Sequence, residues 1–221
     1  MKRLRLILAA LLTLALIVGM FTTLGTDKSQ AAEKAANGRD VSVTLENGLK
    51  VLYWNDENDS WADIVGYVGK SSEVVIPAYI GKHRVYRISH NAFEGNKIIT
   101  SVEIPYALKD IENYAFKDCT SLKEVKFGDY YKFIEEQDGS VKKTSMPSYI
   151  WYGAFEGCTS LEEITFPYGI ETYSIVGKGA FAGSGLKKAT VCWTYYTDIS
   201  DLFYGAEKLE SLTIRKRADG K

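Results

Sequence analysis

Histidine and cysteine are scarce, with 2 and 3 copies in 221 residues, which leaves little material for a zinc site or for histidine-dependent catalysis. Neither sign of charge prevails. Lysine plus arginine total 27 against 28 for aspartate plus glutamate, a formal net charge of -1, so no broad positive field exists to attract nucleic acid or an anionic membrane. Nucleic-acid binding is therefore not expected. What is present is the balance of a folded chain: 46% hydrophobic and 25% charged residues exclude wholesale disorder.

The N-terminus has the order of an export signal. Lys2, Arg3 and Arg5 precede an uncharged, mostly apolar run from Leu6 to Leu24, and a polar stretch follows from Gly25 to Gln30. That is the arrangement of a secretory leader. Ser29 and Ala31 set small side chains three and one residues before a cut between Ala31 and Ala32, the expected cleavage site. The alternative is an uncleaved anchor, because 19 apolar residues just span about 30 Å of hydrocarbon; membrane contact is then expected through Leu6 to Leu24 alone. Both outcomes put the remainder outside the cell, since the basic residues stay cytoplasmic. Loss of residues 1–31 removes four positive charges (Lys2, Arg3, Arg5, Lys28) and one negative (Asp27), leaving a mildly acidic remainder at -4.

Beyond residue 60 the chain repeats itself. Ile88, Ala92, Phe93, Asn96, Ile99, Val102, Ile104 and Pro105 recur in spacing as Ile111, Ala115, Phe116, Cys119, Leu122, Val125 and Phe127. A third copy reads Ile150, Ala154, Phe155, Cys158, Leu161, Ile164, Phe166 and Pro167. Two weaker copies follow. Val176, Ala180, Phe181, Ser184, Leu186, Ala189 and Val191 lose one residue before the leucine, and Ile199, Leu202, Phe203, Ala206, Leu209, Leu212 and Ile214 keep the spacing after the phenylalanine. The phenylalanines advance by 23, 39, 26 and 22 residues, and the 39 is one 23-residue unit plus an insertion of 16.

Each Leu-x-x-Ile-x-Phe core alternates as a short strand does, with its apolar side chains on one face. One such strand cannot persist alone. Stacked in parallel, the strands satisfy one another's backbone groups and build a continuous apolar interior that the Ala-Phe segments close from the opposite side. The spacing thus predicts a solenoid with strands at 74–77, 102–105, 125–127, 164–167, 189–192 and 212–214. Asn96, Cys119, Cys158, Ser184 and Ala206 share one slot that calls for a small side chain at an inward turn.

The pattern Ala-Phe-x-x-Cys-x-x-Leu-x-x-Ile-x-Phe-Pro resembles the BspA-type, or Treponema-type, leucine-rich repeat family. The resemblance covers about 150 residues, and Ile64 to Ile88 resembles its first repeat. It implies a single curved parallel sheet with turns or short helical segments on the opposite side. It also implies a secreted or surface protein that attaches bacteria to host matrix proteins or to other cells.

Around Asn47-Gly48 the alternation of Val41, Val43 and Leu45 with Leu49, Val51 and Tyr53 predicts a β-hairpin, read as a cap on the first repeat. The expected organisation is a leader at 1–31, a tether at 32–40, an N-terminal β cap at 41–66 and leucine-rich repeats at 67–221. The insertion at 129–149 reads as a second hairpin, with Ile134 before Asp138-Gly139 and Val141 after it.

Candidate chemistry is thin. Asp56, Asn58 and Ser60 fill the first ligand positions of a calcium loop, but Trp61 stands where glycine is needed. Gly177, Lys178 and Gly179 lack the spacing of a phosphate loop. His83 and His90 read as solvated surface, and Cys119 and Cys158 as buried free thiols, the alternative being a disulfide between them after export, since they fall on one ladder in adjacent repeats. Neither a metal nor another cofactor is expected, and the chain is not read as an enzyme. Tyr106, Tyr168 and Trp193 follow equivalent strands, with Tyr130 one step beyond the slot; such rings make rigid contact anchors. They are the expected ligand-binding residues of an extracellular protein-binding module or adhesin, the alternative being a carbohydrate-binding module that uses the same aromatic edge.

Overall fold

The computed structural model describes residues 42–55, 60–105, 108–128, 134–135, 141–142, 149–166, 177–192 and 199–215. The chain opens with β1 (Ser42–Thr44) antiparallel to β2 (Leu49–Asn55), with Val43 opposite Val51. Asn47 and Gly48 make the turn: Gly48 sits at φ 88, open to glycine without a Cβ clash, and the Asn47 carboxamide oxygen accepts the Leu49 N–H at 3.1 Å. β2 then pairs antiparallel with β3 (Ser60–Tyr67).

From β3 onward the chain coils, and among the described residues its coils build two parallel ladders, six strands in front and four behind. The front ladder contains β4 (Glu73–Val75), β7 (Ser101–Ile104) and β9 (Glu124–Phe127), with Val74, Val102 and Val125 in register. It resumes in β13 (Glu163–Thr165), β14 (Lys188–Cys192) and β15 (Ser211–Arg215), where Ile164, Ala189 and Leu212 are neighbours. The expected strands are all present. The first two end before Pro77 and Pro105, because a proline has no N–H to give to the next rung.

One detail differs from the single continuous sheet. Among the described residues the front ladder forms two three-stranded sheets, β4-β7-β9 and β13-β14-β15. The insertion enters between them and carries its own antiparallel pair, β10 (Ile134–Glu135) with β11 (Val141–Lys142). The apolar interior nevertheless bridges the junction, where the Phe127 and Phe166 rings lie 5.4 Å apart.

The opposite side carries more than turns. β3 pairs in parallel with β6 (His83–Ile88), β6 with β8 (Asp110–Ile111), and β8 with β12 (Tyr149–Ile150), so that Ile64, Ile88, Ile111 and Ile150 form an inward ladder. β5 (Tyr79–Ile80) folds back antiparallel on β6. In the last coil a four-residue helix, α1 (Ile199–Leu202), precedes the Phe203 turn.

Between the ladders runs a stack of rings. Phe93 and Phe116 lie 4.8 Å apart, Phe116 and Phe155 5.2 Å, Phe155 and Phe181 5.2 Å, and Phe181 and Phe203 5.7 Å, all stacked. Backbone bonds hold this column: the N–H groups of Phe93, Phe116 and Phe155 donate to the carbonyls of Ala115, Ala154 and Ala180 in the following repeat. The four alanines before the phenylalanines are buried, and a larger side chain there would hold the repeats apart.

The residue missing from the fourth copy has a packing consequence. With one residue fewer between Ser184 and Leu186, the turn is drawn onto the preceding repeat, and a Cβ on Gly185 would lie 2.1 Å from the Thr159 carbonyl oxygen. Gly185→Ala must displace backbone, and a loss of about 1–3 kcal/mol is expected, read as a lower urea midpoint. An unchanged midpoint would contradict this packing.

Candidate binding surfaces

The small-residue slot shows why its occupants vary. Asn96 Oδ1 accepts the N–H groups of Ile98 and Ile99 at 2.8 and 3.0 Å, and Ser184 Oγ accepts that of Leu186 at 3.4 Å. The cysteines work in the other direction. The Cys119 thiol donates to the Phe93 carbonyl at 3.0 Å and the Cys158 thiol to the Phe116 carbonyl at 3.1 Å, each one repeat back. Both are buried and free. Burial pushes the Cys119 thiol up to about 12 and raises Cys158 as well, so neither supplies a thiolate near neutral pH. Their stability contribution is intact below the unfolded-chain value near 9 and is lost as pH rises towards the folded value, because only the unfolded chain ionises in that window. Iodoacetamide at pH 8 should therefore label Cys119 and Cys158 only after denaturation. Native labelling would contradict their burial.

The two histidines part company. His90 is exposed as expected, with its side chain 76% accessible. His83 corrects the surface reading: it is 5% exposed, shares a 2.6 Å hydrogen bond with Ser60 Oγ through Nδ1, and packs 4.7 Å from the Tyr53 ring. The physical reason is the β5-β6 reversal, which begins β6 at His83 and turns that residue inward.

Outside the front ladder, side chains are short or singly charged. Glu73, Ser101 and Glu124 form one row of neighbours, and Val75, Glu103 and Lys126 the next. On the second sheet Glu163, Lys188 and Ser211 continue the first row, and Thr165, Thr190 and Thr213 the second. Lys126 bonds Glu124 at 3.0 Å, and this bond together with the nearby carboxylates raises the lysine pKa. The face is shallow and mixed in sign. It suits a broad contact and offers no converging nucleophile and base. Among the described residues no three histidine, cysteine, aspartate or glutamate side chains are grouped to hold a metal.

The back ladder bears a different surface. Asp63, 2% exposed, accepts the Trp54 indole N–H at 2.6 Å and lies 3.0 Å from Arg87 Nε. Arg87 also donates to Glu112 at 3.0 Å, and the backbone N–H of His90 donates to the other oxygen of that carboxylate. Burial raises the Asp63 pKa by more than the pull of Arg87 and Trp54 lowers it, and burial likewise raises Asp110. Four aromatic rings accompany this ion ladder beside Trp54: Trp61, Tyr86, Tyr149 and Trp151, all half-buried. The sequence reading missed the ladder, because Asp63, Arg87 and Glu112 are about 25 residues apart and carry no local motif.

Tyr106, Tyr130, Tyr168 and Trp193, the expected contact residues, lie outside the described residues, as do the expected leader at 1–31 with its expected cleavage site at Ala31, and Asp56 and Asn58. Among the described residues no helix is long and apolar enough to cross a membrane.

The model of the BspA type leucine-rich repeat region matches residues 86–138 and 137–219 in six copies, more than half of the chain. The chain belongs to the BspA-type leucine-rich repeat family. No curated protein matches the sequence. Among solved structures, a leucine rich cell surface protein from Faecalibacterium prausnitzii is similar over 81% of this chain, at 21% identity and a TM-score of 0.59; the chain spans 41% of that protein's length. A leucine-rich repeat protein from Bacteroides capillosus is similar over 79% of this chain and 98% of its own, at 22% identity and a TM-score of 0.52. At these identities the likeness concerns the fold, and in this BspA-type chain the repeat pattern and the coil geometry agree.

Proposed function

We propose that the chain is an exported bacterial binding module, an adhesin in the broad sense, that makes protein–protein contacts outside the cell. The observation that carries this reading is the outer surface of the front ladder, where six strands present two rows of small and oppositely charged side chains with no catalytic constellation among them. A repeat solenoid of this kind offers an extended surface, and extended surfaces suit macromolecular partners. The leader-like order of residues 1–31 and the similarity to a cell surface protein support the outward location. Tyr106, Tyr168 and Trp193 follow β7, β13 and β14 in the sequence, and with Tyr130 they are proposed to extend the face along one edge. A host matrix protein is the proposed class of partner. Residues 32–221, immobilised and exposed to a matrix extract, should retain a protein at physiological salt. Retention on insoluble polysaccharide alone would contradict a protein ligand.

A further inference from the structure

The outer surface of the back ladder is unlike that of the front. Neither outer row of the front ladder contains an aromatic residue, so covering a short parallel ladder does not in itself require rings. The back ladder nevertheless gathers three of the chain's four tryptophans. Trp54 stands opposite Trp61 in the β2-β3 pair, and Trp61 lies 6.0 Å from Tyr86. On β12, Tyr149 stacks 5.6 Å from Trp151. These two aromatic groups are separated by the steps from β3 through β6 and β8 to β12, about 14 Å at the usual strand spacing.

Between them the charges alternate. Asp63, Arg87 and Asp110 are successive neighbours across the strands, and Tyr149 follows Asp110. Glu112 pairs with Arg87, while Lys109 lies over the Tyr149 ring at 5.6 Å and Arg87 over the Tyr86 ring at 5.7 Å. Opposite signs set side by side cancel the field at a distance, so an ion gains little here. What remains is the half-buried ring surface of Trp61 and Tyr86 at one end and of Tyr149 and Trp151 at the other and, between them, both donors and acceptors of hydrogen bonds.

We infer that this surface binds a neutral oligosaccharide chain. A pyranose ring has an apolar C–H face that lies on a tryptophan or tyrosine ring, and hydroxyls at its rim that donate and accept in turn. Trp61 with Tyr86 and Trp151 with Tyr149 are the two stacking platforms, and Arg87 and Glu112 address the hydroxyls between them. The site lies on the ladder opposite the proposed protein-binding face and does not depend on it.

The test uses the intact chain and defined probes: soluble β-1,4-glucan, α-1,4-glucan, galactomannan and chitin oligosaccharides, read by affinity electrophoresis and tryptophan fluorescence. At least one should bind. Trp61→Ala and Trp151→Ala should each weaken that binding about tenfold. Trp151→Phe, which keeps a ring and guards against misfolding, should weaken it less, and Lys126→Glu on the front face should leave it unchanged. Failure of every neutral probe would overturn the proposal, as would binding confined to charged polysaccharides. So would equal affinity in both alanine variants at unchanged melting temperature, or loss of a protein ligand in those variants in place of a glycan.

Discussion

Phe116→Ala is expected to lower the unfolding free energy by about 3–5 kcal/mol, the usual cost of emptying a fully buried aromatic site. Phe116 is fully buried, and its ring is stacked between Phe93 and Phe155. The cavity would therefore open between two repeats and not within one. In a solenoid each repeat is stabilised through its immediate neighbours, so a cut at this point separates the N-terminal coils from those that follow the insertion. Urea denaturation followed by far-ultraviolet circular dichroism should show a lowered midpoint and a broadened or two-step transition. A loss below about 1 kcal/mol would mean that the ring column does not hold the stack together.

The second large effect is electrostatic. Arg87→Met should cost about 3 kcal/mol, because it strands the Asp63 carboxylate in a site from which water is excluded. The loss is asymmetric. Asp63→Asn should cost far less, since the amide oxygen still accepts from Trp54 at the position where the carboxylate accepts at 2.6 Å and carries no charge to desolvate. The raised Asp63 pKa gives the sign of the pH dependence. The folded chain holds this proton more tightly than the unfolded chain, so the group's contribution is complete below the usual carboxylate range and is lost as pH rises through the folded value. Acidification towards that range should therefore partly rescue Arg87→Met, measured as a melting temperature that falls less between pH 7 and pH 5 than that of the unmutated chain. Equal losses for Arg87→Met and Asp63→Asn would contradict the asymmetry.

Much of the front ladder was legible because its signal is local. Val102-x-Ile104-Pro105 states the inward face by alternation and the strand end by the missing proline N–H. The Ala-Phe pair and the slot at Cys119 and Cys158 were legible for a similar reason, since both recur at fixed spacing and each occupant is small where the turn is tight. The back ladder was not. Its rungs at Asp110–Ile111 and Tyr149–Ile150 are two residues long, too short for any alternation to show. Register there also depends on a bulge between Ala62 and Asp63, and that irregularity alone brings Asp63 opposite Arg87. His83 was misread because Gly81, two residues before it, signals a turn, while the side chain's direction is decided by the pairing of His83 with Ile80. Aromatic residues show the same division. Tyr106, Tyr168 and Trp193 could be grouped because they follow strands of known spacing, whereas Trp54, Trp61, Tyr86, Tyr149 and Trp151 are neighbours only through the ladder that joins them.

The protein-binding role proposed for this chain places the contact on the outer rows of its front ladder. Surface plasmon resonance over immobilised host matrix proteins tests it most directly, comparing residues 32–221 with the Lys126→Glu/Thr190→Arg variant, whose substitutions sit in the outer row of both front sheets. Binding to at least one matrix protein is expected, weakened at least about tenfold by the double substitution at an unchanged melting temperature. No binding to any of them, or equal affinity in the variant, would contradict it.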